Sequence, residues 1–224
     1  MKEYAMQLIN IAKSYKDGET NHTVLDHITL KVQDSEFVAI VGPSGSGKST
    51  LLSIAGALLS PDQGDIILGK QNISTKKQKE WTGIRREKIG FIFQNHQLLP
   101  YLTVYEQLKL IQNMTKSKKG VDILELIEDL GLTSCKDKYP DKMSGGEKQR
   151  TAIARAFMND PDVILADEPT ASLDGERGRQ VVEMIRKEVK KRKKAAIMVT
   201  HDERVLSYVD TVYRLDNGVL RKMN

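Results

Sequence analysis

Phe37-Val-Ala-Ile-Val-Gly-Pro-Ser-Gly-Ser-Gly-Lys-Ser-Thr-Leu-Leu-Ser-Ile-Ala55 decides the fold of this 224-residue chain. Phe37 to Val41 is an unbroken apolar run, as expected of a strand buried on both faces. Leu51, Leu52, Ile54 and Ala55 then follow at helical spacing. Between them, Gly42-Pro43-Ser44-Gly45-Ser46-Gly47-Lys48-Ser49-Thr50 matches G-x-x-x-x-G-K-[ST] in full. Gly42, Gly45 and Gly47 let the backbone turn its N–H groups inward around phosphates. Lys48 supplies positive charge to the outer phosphates and Ser49 a hydroxyl to Mg²⁺. Strand, glycine turn and helix in that order predict a nucleotide site at the edge of a parallel sheet.

The rest of the chain extends this α/β pattern. Leu8 to Ser14 reads as a strand, and Ile28, Leu30 and Val32 alternate with polar residues as in a half-buried one. Short strand-like pieces at Asp65 to Leu68 and Ile89 to Phe93 bracket a basic, exposed stretch with Lys76, Lys77, Lys79, Arg85 and Arg86. Residues 103–132 change to helical spacing, with Val121, Leu124, Ile127 and Leu130 the clearest positions. Val163 to Ala166 and Ala196 to Thr200 read as buried strands joined by a helix from about Glu176 to Lys194. Strand, helix, strand argues for a parallel sheet. Asn217-Gly218 marks a terminal hairpin.

Composition narrows the class. Hydrophobic content of 39% and charged content of 29% suit a globular protein. A net charge of +5 is mild and fits a nucleotide, anionic lipid or nucleic acid equally. The one cysteine, Cys135, cannot form an intrachain disulfide, and a reducing compartment is the expectation. The N-terminus has no apolar core of the signal-peptide kind. The longest apolar runs are five residues, against the ~20 a spanning helix needs. Work at a membrane would therefore require a membrane-embedded partner. The run Lys190-Lys-Arg-Lys-Lys194 reads as the solvated end of a helix, where cations suit the helix dipole.

Five further places in the chain carry chemistry. Val163-Ile-Leu-Ala-Asp-Glu168 is an apolar strand ending in two carboxylates where α/β ligands bind. Asp167 suits the water shell of Mg²⁺. Glu168 is placed to orient or deprotonate a water attacking a γ-phosphate. His201 ends the next strand and should emerge beside Glu168. Gln94 ends the run Ile89 to Phe93 and offers an amide to the metal or the water. Tyr15, 27 residues before Gly42, offers a face on which adenine could stack. Met143-Ser144-Gly145-Gly146-Glu147-Lys-Gln-Arg150 reads as a helix start. Ser144 and Glu147 fit a capping box, and the two glycines leave backbone N–H groups bare at a positive helix end, a seat for phosphate.

With these motifs in this order, the chain resembles the ATP-binding subunits of ABC transporters over essentially its whole length. Tyr15 matches the aromatic loop, Gly42 to Thr50 Walker A, Gln94 the Q-loop and Ser144 to Glu147 the signature. Val163 to Glu168 matches Walker B with the catalytic glutamate, Ser172-Leu173-Asp174 the D-loop and His201 the switch histidine. The common signature is Leu-Ser-Gly-Gly-Gln; here Met143 and Glu147 replace its ends. Glu serves the same cap as Gln, and Met keeps an apolar contact, so function is expected to be retained. The stretches IGFIFQNHQLLPYLTVYEQL and RAFMNDPDVILADEPTASLD look like the macrolide-exporter and lipoprotein-releasing branch, and within it most like Gram-positive hemin-efflux ATPases.

The resemblance implies a P-loop NTPase (RecA-like) α/β core, an antiparallel β subdomain and an inserted α-helical subdomain in a single domain. The core is expected at about 1–94 and 146–224 and the helical subdomain at about 95–145. It implies ATP and Mg²⁺ as cofactors, with Ser49, Gln94 and Asp167 at the metal. Two copies would sandwich two ATPs head to tail. Lys48, Gln94, Glu168 and His201 would act on their own chain's ATP, while Ser144, Gly145, Gly146 and Glu147 close on the partner's. Asp174 would lie between the copies. Integral membrane permease subunits are the other expected partners, no nucleic acid is expected, and the place of work is the cytoplasmic face of a bacterial cell membrane. Export of a small hydrophobic or amphipathic compound, such as hemin or an antimicrobial, is the function implied. The alternatives are an importer subunit and a non-transport ABC ATPase acting on nucleic acid or ribosomes.

Overall fold

The computed structural model describes residues 4–18, 20–114, 121–171 and 173–223. In chain order, β1 (Tyr4–Asp17), β2 (Thr20–Gln33) and β3 (Phe37–Val41) lead into helix α1 (Lys48–Ala55). Next come β4 (Gln63–Leu68), β5 (Gln71–Asn72), α2 (Gln78–Lys88) and β6 (Ile89–Ile92). Three helices follow, α3 (Val104–Met114), α4 (Ile123–Asp129) and α5 (Gly145–Phe157). The chain ends with β7 (Val163–Asp167), α6 (Gly175–Lys191), β8 (Ala195–Val199), β9 (Thr211–Asp216) and β10 (Val219–Lys222).

The strands make two sheets, ordered β2-β1-β4-β5 and β10-β9-β3-β8-β7-β6. The first is antiparallel throughout. In the second, β6, β7, β8, β3 and β9 run parallel, and β10 returns antiparallel through Asn217-Gly218. Both turn residues have positive φ, 46° and 75°, as a two-residue hairpin of type I′ requires.

Strand alternation divides the core in two. On one face, Val38, Ile40, Leu165 and Ile197 pack with α1 against Met6, Leu8, Ile28 and Leu30 of the antiparallel sheet. On the other, Phe37, Ala39, Ile164 and Met198 lie under Phe157 of α5 and Val182 and Ile185 of α6, with α3 and α4 joining the same core. Because β3, β6, β7, β8 and β9 are parallel, the segments leaving them gather at one edge. That edge receives the phosphate loop, Gln94, Glu168, His201 and the Asp216–Gly218 turn.

The structure extends one expectation and corrects another. The basic stretch before β6 is an ordered helix, α2. Its Trp81 is buried and donates Nε1–H to Ile73 O at 2.9 Å, and Glu80 accepts from the backbone N–H of Lys77 at 3.0 Å. The helix before β8 ends at Lys191, and the basic run around it is paired rather than simply solvated. Lys190 meets Asp210, Lys191 meets Asp129 and Glu125, Arg192 meets Glu188 and Asp129, and Lys194 meets Asp160.

Candidate nucleotide site at the sheet edge

Glycine is required in the phosphate loop for two separate reasons. Gly45 and Gly47 sit at φ 81° and 96°, where side chains are strained. Gly42 is pressed against β9: a Cβ there would lie 2.1 Å from Leu215 O. Lys48, at the start of α1, is buried and curls back, donating Nζ to Gly42 O at 2.8 Å and Pro43 O at 2.9 Å. The Ser46 hydroxyl is buried with no partner. An orphaned buried hydroxyl is costly, and a phosphate oxygen in the loop would satisfy it. Pro43, Ser44, Gly45 and Ser46 line a cavity of about 280 Å³ with β2 and the Asp216–Gly218 turn. Thr50 continues the first turn of α1.

Ser49 Oγ donates to Asp167 Oδ1 at 3.4 Å. Burial pushes the Asp167 carboxyl above its ordinary range; the Ser49 hydrogen bond opposes that, the Glu168 charge adds to it and Lys48 opposes it. Such a carboxylate gains from a nearby cation. The donors are oxygens, which suits a hard ion such as Mg²⁺. Among the described residues no group of three or more His, Cys, Asp or Glu side chains could hold a metal by itself.

Glu168 leaves β7 at φ 45°, a left-handed conformation unusual for a residue with a side chain. Its N–H donates to Val199 O at 3.0 Å. Its Oε2 accepts from His201 N at 3.3 Å and lies 2.9 Å from His201 Nδ1. The sequence-based pairing of these two strand ends is thus a direct contact.

Gln94 is exposed just beyond β6. Arg155 of α5 braces the segment after it by donating to the carbonyls of His96 and Gln97. Tyr15 is exposed, with the Lys13 ammonium 5.6 Å from its ring centroid. It pairs with His22 across the β1–β2 ribbon. His22, not Tyr15, lines the cavity at the phosphate loop.

The start of α5 has the capping box read from its sequence. Ser144 Oγ accepts from Glu147 N at 3.2 Å, and Glu147 Oε2 accepts from Ser144 N at 2.7 Å. The backbone bond from Ser144 is the chief reason the Glu147 carboxyl is held down to about 2, helped by the Ser144 side chain and Lys138. No atom lies within 4 Å of a Cβ placed on Gly145, and only Arg150 approaches Gly146. Ser144, Gly145 and Gly146 line a cavity of about 280 Å³ with Leu173 and Arg177. It shares no lining residue with the phosphate-loop cavity. Asp174 caps α6 by accepting from Arg177 N at 3.0 Å. Ser172, the first of the three D-loop positions, lies outside the described residues.

Several residues at the edge were missed by sequence reasoning. Gln149 is buried and donates to Pro169 O at 3.0 Å, joining α5 to the turn after Glu168. Asp216–Gly218 was read as a hairpin and not as a wall of the site. The parallel pairing of β9 with β3 was the missing signal. Asp202 and Arg204 follow His201 and form a bidentate pair. Their spacing alone could have suggested it.

Comparison with known proteins agrees with this geometry. The family pattern described as ABC transporter matches residues 25–171. HrtA of Staphylococcus haemolyticus strain JCSC1435, a protein named for hemin import and ATP binding, is 46% identical over 217 residues, covering 96% of this chain and 98% of HrtA. Among solved structures, the dimeric bacterial ABC transporter cassette MJ0796 superposes with a TM-score of 0.84 at 35% identity, covering 98% of this chain and 99% of that one. The same cassette, equally similar, is known in a dimeric post-hydrolysis state bound to ADP and phosphate. The chain belongs to the ABC transporter family, as one of its ATP-binding and ATP-hydrolysing cassettes.

Proposed function

We propose that two copies of this chain close head to tail on two ATP molecules and drive export of a small hydrophobic or amphipathic compound, of the hemin class, through separate membrane subunits. The observation that carries the head-to-tail reading is the separation of the two cavities. The phosphate loop lines one, and the bare Ser144 helix start lines another with no residue in common. A helix start built to receive phosphate, yet apart from its own phosphate loop, fits a neighbour's ATP. The MJ0796 cassette is known as a dimer, which supports the pairing of two copies.

In this reading Lys48 leaves the carbonyls of Gly42 and Pro43 for the outer phosphates. Ser49, Asp167 and Gln94 would hold Mg²⁺, which would supply charge neutralisation at the phosphates. Glu168 accepts a proton from a water whose oxygen bonds to the γ-phosphorus as the bond to the ADP oxygen breaks. His201 keeps the Glu168 carboxylate aimed, and Tyr15 stacks on the base. Ser144 and the N–H groups of Gly145 and Gly146 complete the partner's site. Residues about 95–145 act as a helical subdomain set into a core of 1–94 and 146–224.

No helix among the described residues is long and apolar enough to cross a membrane. Membership of the transporter family supports assigning passage to permease subunits and the chain to the cytoplasmic face of the membrane. A groove of about 480 Å³ beside Gln94, lined by Phe91, Phe93, Ile111 and Met114 with Arg85 and Arg155, suits a short amphipathic segment of such a subunit. Nucleic acid is not an expected partner, and the basic run at 190–194 is largely paired with carboxylates.

Import is the second reading, favoured by the name of the HrtA relatives. The test is ATP-driven movement of hemin in inside-out vesicles carrying the chain with its membrane partner. Accumulation inside the vesicles supports export. Accumulation only in right-side-out vesicles loaded with ATP reverses the direction, and no ATP-dependent movement of hemin rejects that cargo.

A further inference from the structure

We propose that Arg204 is a positioning residue that ties the loop carrying His201 to the Asp174 turn, so that events at Asp174 reach the catalytic base. The proposal rests on the reading that Asp174 meets a second copy of the chain.

Arg204 is committed on one side. Its Nε donates to Asp202 Oδ1 at 2.7 Å and its Nη2 to Asp202 Oδ2 at 3.0 Å, while its backbone N–H also reaches Oδ1 at 3.0 Å. A guanidinium on a carboxylate in this two-pronged way is fixed in plane as well as in distance. Asp202 is itself anchored, its N–H donating to Thr200 Oγ1 at 3.0 Å. The residue before it is His201, whose backbone N and ring Nδ1 both lie close to Glu168 Oε2. The turn from Thr200 to Arg204 therefore behaves as one unit ending on the catalytic carboxylate.

The other side of the guanidinium lies on the start of α6. A Cβ placed on Gly175 would be 2.8 Å from Arg204 Nη1 and 3.4 Å from its Cζ. Gly175 directly follows Asp174, the cap of that helix. One turn further along, a Cβ on Gly178 would be 3.8 Å from Asp202 Oδ2. The carboxylates of Asp202 and Asp174 both favour the charged guanidinium here. The Arg204–Asp202 pair is more than half exposed on the arginine side, and exposed pairs add little to stability. What this one supplies is a fixed spacing between two loops. In the proposed coupling, a displacement of Asp174 would shift Gly175 relative to the neighbouring Arg204 guanidinium, and Arg204 would carry Asp202 and His201 with it.

A path of contacts becomes a coupling only when its members fail to act independently. The test uses the full chain and four variants: Arg204→Gln, Arg204→Lys, Gly175→Ala and the Gly175→Ala/Arg204→Gln double. Arg204→Gln should lower kcat about tenfold, a modest misplacement of the catalytic group, with the KM for ATP within about twofold. Arg204→Lys should recover only part, because a lysine ammonium cannot make the two-pronged contact. Gly175→Ala favours the helix by propensity, yet should lose kcat like Arg204→Gln because its methyl displaces the guanidinium. The double variant should be no worse than the poorer single. Unchanged kcat in Arg204→Gln would overturn the proposal. So would losses that multiply in the double, or a kcat loss matched by equal losses of ATP affinity and thermal midpoint. ATP-driven dimer formation is read separately in a Glu168→Gln background. Its absence would remove the dimer reading without deciding whether Arg204 positions His201.

Discussion

Replacing Glu168 by glutamine tests the site at its reacting group. The structure makes the change nearly free of packing consequences. The side chain keeps its shape, and its oxygen can still accept from His201 N, the contact now 3.3 Å long. The unusual φ of 45° is a backbone property set by the surrounding strands and persists. What disappears is the ability to take a proton from the attacking water. A positioned base contributes ~10²–10⁴-fold, so kcat should fall by that factor, or about 3–5 kcal/mol at 1.36 kcal/mol per decade. ATP affinity should stay close to that of the wild-type chain, because Lys48, Ser49 and the phosphate loop are untouched. Steady-state phosphate release gives kcat, and fluorescence titration with a labelled nucleotide gives affinity. Phosphate release within tenfold of wild type would remove Glu168 as the base. Loss of ATP binding would mean that it serves the nucleotide pocket instead.

Two further outcomes follow from the electrostatics. Burial raises the Asp167 carboxyl, so the folded chain without nucleotide favours its protonated form and loses stability as pH rises through the raised value. Asp167→Asn should therefore melt higher at neutral pH in the absence of nucleotide. It should also lose the extra thermal shift that Mg²⁺ gives ATP; scanning fluorimetry reads both, and a lower melting point would contradict the burial argument. Glu147 has the opposite sign. Its carboxyl is held at about 2 against the ordinary 4.5 of a glutamate, so its contribution to stability is complete above about 4.5 and lost as pH falls through about 2. The advantage of wild type over Glu147→Gln in chemical denaturation should shrink across that window, while ATPase at pH 7 stays near wild type; a gap that does not change with pH would show that the charge is not what holds the cap.

Much of this molecule was legible in its sequence because the decisive residues are local. Phe37 to Thr50 contains its own strand, turn and helix start, and Ser144 to Glu147 contains its own cap. The contact between Glu168 and His201 was also readable, since adjacent parallel strands bring their ends together. What escaped depends on distant partners or on broken periodicity. The first strand runs from Tyr4 to Asp17, but only its centre was recognised. Register shifts between Leu8 and Ile11, with Asn10 at φ 53°, interrupt the alternation. Helix α2 lacks a Ser, Thr, Asp or Asn cap and buries only one side chain, Trp81, so its charges concealed it. The basic run at 190–194 could not be assigned from sequence, because its carboxylates come from α4, α6, the loop before β7 and the turn before β9. Tyr15 is linked to the nucleotide by its distance before Gly42 and by family resemblance, and the cavity wall beside the phosphate loop comes from His22 and the Asp216–Gly218 turn.

The central claim is that each active site is built from two chains, and one mixing experiment addresses it directly. A Lys48→Ala chain retains the Ser144 helix start but lacks a working phosphate loop. A Ser144→Arg chain has the reverse defect. Each should be nearly inactive alone. Mixed in equal amounts, about half the dimers should be hetero-dimers with one intact site of two, so roughly a quarter of wild-type ATPase should return. Phosphate release that remains at the level of the separate variants would contradict the account and place the Ser144 helix start on its own chain's ATP.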